Sequence, residues 1–248
     1  MSESWIVGIN PVEGALSNDA SRVRELLVEQ GQRNARVQEL ATRAKALNIP
    51  VHHRPREQLD KLAGEARHQG IVALYEAPPM GGENDITGLL EAAGNDALVL
   101  VLDGVTDPHN LGACLRSAAA AKVTMVIVPK DRAVGLTPVV RRASAGGADR
   151  VPLIAATNLA RALRTLKDAG VWITGLAGDT DTSLYSIDMK GPVALVLGSE
   201  GEGMRRLTRE TCDFVAKIPM PGVMESLNVS VAAGVVLFEA LRQRSEKR

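Results

Sequence analysis

Aromatic residues are scarce in this chain of 248 amino acids: two each of Trp, Tyr and Phe, 2% in all. So few rings provide no stacking platform for nucleic acid bases. Two cysteines, Cys114 and Cys212, are too few for a disulfide framework and lack zinc-type spacing. They read as small buried side chains in a reducing compartment, and no metal is expected. Net charge is absent too, 29 basic residues balancing 29 acidic ones, so the total gives no electrostatic footprint for a polyanion. The longest apolar stretches, such as Ala97 to Leu102 and Val229 to Phe238, fall short of the roughly 20 residues that span a bilayer. The opening Met1-Ser2-Glu3-Ser4-Trp5 is acidic where a secretory signal is basic. A cytoplasmic protein with no membrane segment is expected.

What is present is a hydrophobic fraction of 45%, ample for a packed core. Charge gathers locally in two places. Between Lys130 and Arg150 stand Lys130, Arg132, Arg141, Arg142 and Arg150 against Asp131 and Asp149, and the tail from Arg242 to Arg248 is also basic. Either cluster suits phosphates, and either suits an ordinary solvated helix face. The segment His52-His53-Arg54-Pro55-Arg56 carries the same two readings, an RNA-touching edge or a solvated loop.

Hydrophobic patterning divides the chain. Residues 5 to 77 read as a small α/β unit: a strand near Trp5 to Gly8, helices from Pro11 and over Asn34 to Leu47, and extended segments at Pro50 to His53 and Gly70 to Tyr75. Ala77-Pro78-Pro79-Met80-Gly81-Gly82-Glu83-Asn84-Asp85 then interrupts regular structure, so the reading is a domain over 1–77, a linker over 78–95 and a second domain over 96–248. In the second, apolar runs at Ala97 to Leu102, Thr124 to Val128, Val151 to Ile154, Val171 to Thr174, Val193 to Leu197 and Phe214 to Ile218 alternate with helical patterns. Continuous apolar strands separated by helices predict a parallel sheet covered on both faces. Leu159, Leu163 and Leu166 mark one helix, capped by Asn158 and stopped by Gly170. Leu227, Val231, Val235, Phe238 and Leu241 mark a last helix that should bury this stripe, in the core or against another subunit.

Three segments begin where such strands end, so all three can meet at the carboxyl edge of one sheet. The first runs from Asp107 to Arg116. Asn110 is placed to cap a helix or meet a ligand, and Gly112 and Arg116, one turn apart, leave a groove with a guanidinium above it. A plain surface arginine is the competing reading, and His109 reads as a capping or solvent-facing group rather than a base. The second, Gly198-Ser199-Glu200-Gly201-Glu202-Gly203, lacks the dinucleotide-fingerprint spacing, which disfavours a Rossmann cofactor. Its glycines permit positive φ and close approach of a ligand; a purely structural turn reads as well, and Glu200 tips the balance. The third couples Ile218-Pro219-Met220-Pro221-Gly222 to Glu225-Ser226-Leu227-Asn228. Ser226 reads first as an N-cap, with Asn228 in the first turn able to bond the glycine loop or a hydroxyl.

At these residues the chain resembles the SpoU branch of the SPOUT RNA methyltransferases, which carry Asn-x-Gly with an Arg six after the Asn, then Gly-x-Glu-x-x-Gly, then Ser-x-Asn. Here these are Asn110, Gly112 and Arg116; Gly198, Glu200 and Gly203; Ser226 and Asn228. The likeness is strong from about residue 97 onward and looser over 5–77. It implies a C-terminal trefoil knot, S-adenosylmethionine held by Leu197, Gly198, Gly201, Ile218, Met220 and Leu227, and a homodimer in which Arg116 approaches the other subunit's methyl donor. It also implies an N-terminal RNA-binding domain and 23S rRNA as substrate, methylated at a guanosine 2'-hydroxyl. Among the site residues, Arg116 would pair with the target phosphate and stabilise the developing alkoxide, while Glu200, Asn228, Asn110 and Ser226 orient the site. Two rivals remain: methylation of a tRNA ribose, and a non-catalytic RNA-binding ribosome-assembly factor.

Overall fold

The computed structural model describes residues 3–64, 66–76, 80–131, 133–224 and 226–245. Ala77 at the end of the expected first domain, Pro78 and Pro79 of the expected linker, Arg132, Glu225, and Glu246, Lys247 and Arg248 of the tail lie outside them. Seven elements come first: β1 (Glu3–Val7), α1 (Ile9–Asn18), β2 (Val23–Glu29), α2 (Ala35–Ala46), β3 (Val51–Arg54), α3 (Arg56–Ala63) and β4 (Ile71–Glu76). Their sheet has the order β1-β4-β2-β3, with β4 antiparallel to both neighbours and β2 parallel to β3. Val12, Leu16, Val37, Leu40 and Ala44 of α1 and α2 pack on Leu26, Val28, Ile71 and Ala73. Leu59 of α3 covers Leu27 and Val72 behind. Asn34 caps α2, its side chain accepting from the Arg36 amide at 3.0 Å, and the helix lies within the predicted Asn34 to Leu47. The patterning had not marked β2 or α3.

The remaining elements are β5 (Gly81–Gly82), α4 (Asp85–Ala93), β6 (Leu98–Asp103), α5 (Pro108–Ala120), β7 (Met125–Pro129), α6 (Pro138–Ala143), β8 (Leu153–Ala156), α7 (Leu159–Asp168), β9 (Trp172–Leu176), β10 (Val193–Gly198), α8 (Arg206–Thr211), β11 (Phe214–Ala216) and α9 (Val229–Ser245). Seven strands form one parallel sheet in the order β11-β9-β10-β6-β7-β8-β5. Each of these apolar runs overlaps a strand; the central β6, β7 and β10 are buried on both faces, whereas Trp172 of β9 and Phe214 of the edge strand β11 are exposed. Leu98, Leu100 and Leu102 of β6, with Val193, Leu195 and Leu197 of β10, pack under α5 and α9. Val99, Val101, Ala194 and Val196 point the other way, beneath α4 and α7.

Three expectations are corrected. The segment read as linker contains regular structure: Gly81 and Gly82 pair with Ile154 and Ala155, and Asp85–Ala93 is a helix. Ile86 and Leu90, four apart, reach the second core, and that burial outweighs the turn signals before them. In the Lys130 to Arg150 cluster, Arg141 is buried against Asp149 and lies over the Tyr75 ring at 5.6 Å, joining α6 to the first sheet. It is unavailable to a phosphate. In the tail, Arg244 donates to the carbonyls of Met189, Asp96, Ala97 and Gly191, so it closes the carboxyl end of the fold.

The last helix splits the expectation made for it. Val229, Ala233, Val236, Leu237 and Ala240 are buried, whereas Leu227, Val231 and Phe238 of the predicted stripe stand 36%, 51% and 52% exposed. Val235 and Leu241 of the same stripe pack against the core, so the single chain covers the stripe only in part. Among the described residues, no helix is long and apolar enough to cross a membrane.

Candidate functional site at the carboxyl edge

Strands β6 and β10 are neighbours, yet the chain leaves them in opposite directions, towards β7 from one and β11 from the other. The crevice between their carboxyl ends is a topological switch point, where open α/β sheets bind ligands. The second segment closes one side of it. Ser199 and Gly203 exchange backbone hydrogen bonds at 3.1 and 3.0 Å, and Gly201 and Gly203 take positive φ of 89° and 70°. The loop doubles back so closely that a Cβ on Gly198 would sit 2.0 Å from the Gly203 carbonyl carbon. Glycine here is a steric requirement, and it sets Glu200 at the rim.

Glu200 Oε1 then gathers the other two segments. It accepts from Asn228 Nδ2 at 2.8 Å, from Asn110 Nδ2 at 3.3 Å and from the Val229 amide at 3.3 Å. Asn228 Nδ2 also donates to Asn110 Oδ1 at 3.0 Å, closing a triangle of side chains. The carboxylate meets a first-turn amide of the 17-residue α9, where the helix dipole favours negative charge. Three stretches of sequence are thus tied at one oxygen.

Several assignments change. Asp107, not Asn110, caps α5, accepting from the His109 amide at 2.9 Å, so Asn110 is free to face Glu200. Asn228, not Ser226, caps α9, accepting from the Ser230 amide at 3.0 Å and the Ser230 hydroxyl at 2.6 Å. Ser226 is exposed and makes no hydrogen bond with the described residues. Gly112 leaves no ligand groove: a Cβ there would meet Ala143 Cβ at 2.4 Å and the Val140 carbonyl at 2.8 Å. Its role is the close approach of α5 and α6.

Arg116 is not in the cluster. Six residues after Asn110, it is displaced about 9 Å along the axis and projects from another side of α5. It is exposed and has no hydrogen-bond partner among the described residues. Ser117, next in the chain, lies against α9, its hydroxyl 3.9 Å from the Cβ position of Gly234. Arg116 itself is one residue from this contact of α5 with α9, and its backbone packs against Gly147.

Of the residues read as cofactor-binding, Leu197 is buried, Gly198 and Gly201 belong to the folded-back loop, Ile218 and Met220 are half-buried, and Leu227 is partly open. The backbones of Ile218, Met220 and Gly222 hydrogen-bond to no described residue. Apolar side chains beside unused backbone donors and acceptors suit a purine ring and its edge, so these residues fit an adenosyl group. Asp103 is a participant that sequence reasoning passed over as a mere strand end. It is fully buried and accepts from Arg205 Nε at 2.6 Å and the Arg205 amide at 2.9 Å, pinning the far end of the glycine loop. An acid closing an otherwise apolar strand was the available signal.

Both thiols are held protonated by burial, which pushes Cys114 up to about 12 and Cys212 to about 11. Among the described residues, no group of three His, Cys, Asp or Glu side chains could hold a metal ion.

An amide–carboxylate–amide cluster at a switch point defines an α/β protein with a candidate ligand site at the carboxyl edge of the sheet. The chain belongs to the SpoU rRNA Methylase family, which matches residues 97–238. Residues 5–80 match the family described as RNA 2'-O ribose methyltransferase substrate binding. The chain is 57% identical over 240 residues, 97% of its length and 96% of the relative's, to the 23S rRNA (guanosine-2'-O-)-methyltransferase RlmB of Xanthomonas campestris. Among solved structures it resembles an RNA 2'-O ribose methyltransferase at TM-score 0.78 and 29% identity, covering 98% of this chain and 89% of that one. It also resembles the SpoU methyltransferase AviRb of Streptomyces viridochromogenes in complex with AdoMet, at TM-score 0.80 and 25% identity, covering 98% and 91%.

Proposed function

We propose that this protein is an enzyme that transfers a methyl group from S-adenosylmethionine to the ribose 2'-hydroxyl of a guanosine in 23S rRNA. The observation that carries this reading is the convergence of Asn110, Glu200 and Asn228 at one carboxylate oxygen. Near-full-length identity to RlmB supports the substrate. In this reading residues 1–77 are the substrate-binding domain and 96–248 the catalytic domain; α4, packed in the second core, goes with the latter. The C-terminal strands and α9 are threaded as a trefoil knot, and the protein works in the cytoplasm.

The methyl donor, held by Leu197, Gly198, Gly201, Ile218, Met220 and Leu227, supplies an electrophilic methyl on sulfonium. The chain's own residues align the attacking oxygen and manage its proton. Orientation is the larger contribution, since well-placed reactants gain roughly 7 to 11 kcal/mol. Glu200 holds the two asparagines and the α9 terminus in one geometry. Asn110 fixes the first turn of α5, Asn228 the start of α9, and Ser226 borders the bound ribose. Arg116 pairs with the target phosphate through its planar guanidinium and stabilises the developing alkoxide. A phosphate oxygen or water takes the proton.

Arg116 reaches the donor of a second copy. Its exposed side chain, with Val231 and Phe238 of α9 also exposed, supports a homodimer, and Val223 and Met224, 98% and 68% exposed, offer further apolar surface. The test is transfer of tritiated methyl groups to 23S rRNA, followed by mapping of 2'-O-methyl sites in cells with and without the protein. Loss of one guanosine methyl group is expected; an unchanged 23S map with a missing tRNA methyl group would overturn the substrate assignment.

A further inference from the structure

Arg205 is the most constrained arginine bordering the glycine loop, and the cluster around Glu200 does not use it. Its amide and Nε are both committed to Asp103, a carboxylate with no exposed surface. The rest of the side chain is half exposed, and Nη1 and Nη2 meet no acceptor among the described residues. A buried ion pair is weak evidence for stability, because desolvation cancels much of the attraction. What the pair does achieve is orientation. Anchored through Nε, the guanidinium plane is fixed before any ligand arrives, and its outer donors stay available.

Those donors stand where two clefts join. One, of about 540 Å³, lies beside the glycine loop and is lined by Gly104, Thr106, Ser199, Glu200, Gly203 and Arg205. The other, of about 590 Å³, opens over the carboxyl ends of β7 and β8, between Pro129, Thr157, Asn158, Leu159, Arg205 and Thr208. Pro129, Arg205 and Arg206 border both, so the two form one trough leading away from Glu200. At its far end Leu159 and Ala160 begin α7, with amides that meet no described acceptor. Asp131 and Glu202 line the trough as well, and Arg206 is paired with Glu210. The trough is therefore no diffuse positive surface. A ligand with anionic oxygens is held there by directed hydrogen bonds or not at all.

We infer that Arg205, fixed by Asp103, is a phosphate-binding residue that grips the RNA backbone next to the target ribose and leads the strand along this trough. The inference rests on the RNA-methylating reading. The methyl donor's carboxylate offers the same oxyanion chemistry, but a trough running on past the loop to α7 suits a chain of linked phosphates. A guanidinium fork matches phosphate geometry, whereas a lysine must choose between Asp103 and the ligand.

The test uses the full-length protein and an in vitro transcript of 23S rRNA, with binding measured by filter retention from about 50 to 200 mM salt. Donor affinity is measured by calorimetry. Arg205→Lys should weaken RNA binding about tenfold, as for loss of one directed phosphate contact, with the loss falling on KM rather than kcat. The pair Asp103→Asn with Arg205→Gln removes both charges and leaves no buried carboxylate unpaired. It should weaken binding similarly and lower the salt slope by about 0.7. RNA affinity unchanged in both variants, with melting temperatures kept, would overturn the inference. So would weakened donor binding with RNA binding intact, which would assign the fork to the cofactor carboxylate. Wild-type protein that binds the transcript through Arg205 yet methylates no 23S guanosine would instead count against the proposed reaction.

Discussion

Asn228 and Glu200 are 28 residues apart in the chain, and their side chains meet at 2.8 Å. The contact joins the start of the last helix to the glycine loop, and through Asn110 it extends to the first helix after β6. Glu200→Ala should leave these asparagines without a common acceptor. Methyl transfer should fall by about 10² or more, in the range seen when one positioned polar group is removed. Glu200→Gln keeps an acceptor oxygen and should retain more activity than Ala. Equal losses in the two variants would show that charge, not tethering, is the contribution.

Arg116→Lys keeps the charge and loses the planar fork. Turnover should drop about 10²-fold with little change in donor affinity. Lysine supporting nearly full turnover would rule out bidentate recognition of the phosphate.

Trans action of Arg116 has a sharper signature. Arg116→Ala and Glu200→Ala chains, each inactive alone, should on co-refolding regain about a quarter of wild-type activity, because half the dimers are mixed and each has one intact site. Phe238→Glu, placed on the exposed part of the α9 stripe, should yield a monomer in sedimentation. Complementation absent from demonstrably mixed dimers would place the arginine in cis.

Gly112→Ala should lower the melting temperature by several degrees, since overpacking costs about 1 to 3 kcal/mol. The added Cβ meets Ala143 Cβ at 2.4 Å, so Ala143→Gly should restore part of the loss; the Val140 carbonyl at 2.8 Å keeps rescue incomplete. Calorimetry of the single and double variants checks this. No rescue at all would mean that α5 and α6 do not meet through this face.

Glu83 accepts from the Asn158 amide at 2.9 Å and from Arg161 Nε at 2.7 Å, and the arginine holds its carboxyl below the usual carboxylate range. A depressed folded-state value contributes stability above the unfolded value of 4.5 and loses it as pH falls through the lower folded value. Glu83→Gln should therefore be less stable at neutral pH by roughly 1 kcal/mol or less, the range for partly exposed pairs, and the difference should vanish in acid. Urea melts at pH 7 and pH 3 measure it, and a difference that persisted at pH 3 would assign the effect to packing.

The sequence by itself determined the parallel sheet. Runs such as Leu98 to Leu102 and Val193 to Leu197 have no polar alternation, and only strands covered on both faces satisfy them. It also showed that the segments carrying Asn110, Glu200 and Asn228 can meet, because each begins at a strand end and parallel strands share one carboxyl edge; the resemblance to the SpoU methyltransferases singled out these residues. Local signals failed where long-range packing overrode them. Gly81 and Gly82 read as linker but pair with β8, and α4 forms because Ile86 and Leu90 find a core made by distant strands.

Tertiary structure alone decided which group each polar side chain serves. Asn110 and Asn228 are both good capping residues, yet only Asn228 caps, because α5 begins earlier, capped by Asp107, and Asn110 already lies inside its first turn. Gly112 faces α6 instead of a ligand, and Arg116, Val231 and Phe238 are left outward within the single chain. The physical reason is that hydrophobic periodicity is a property of a segment and survives in any packing that buries it. A hydrogen-bond partner is a property of a place, and places exist only once the chain has closed on itself.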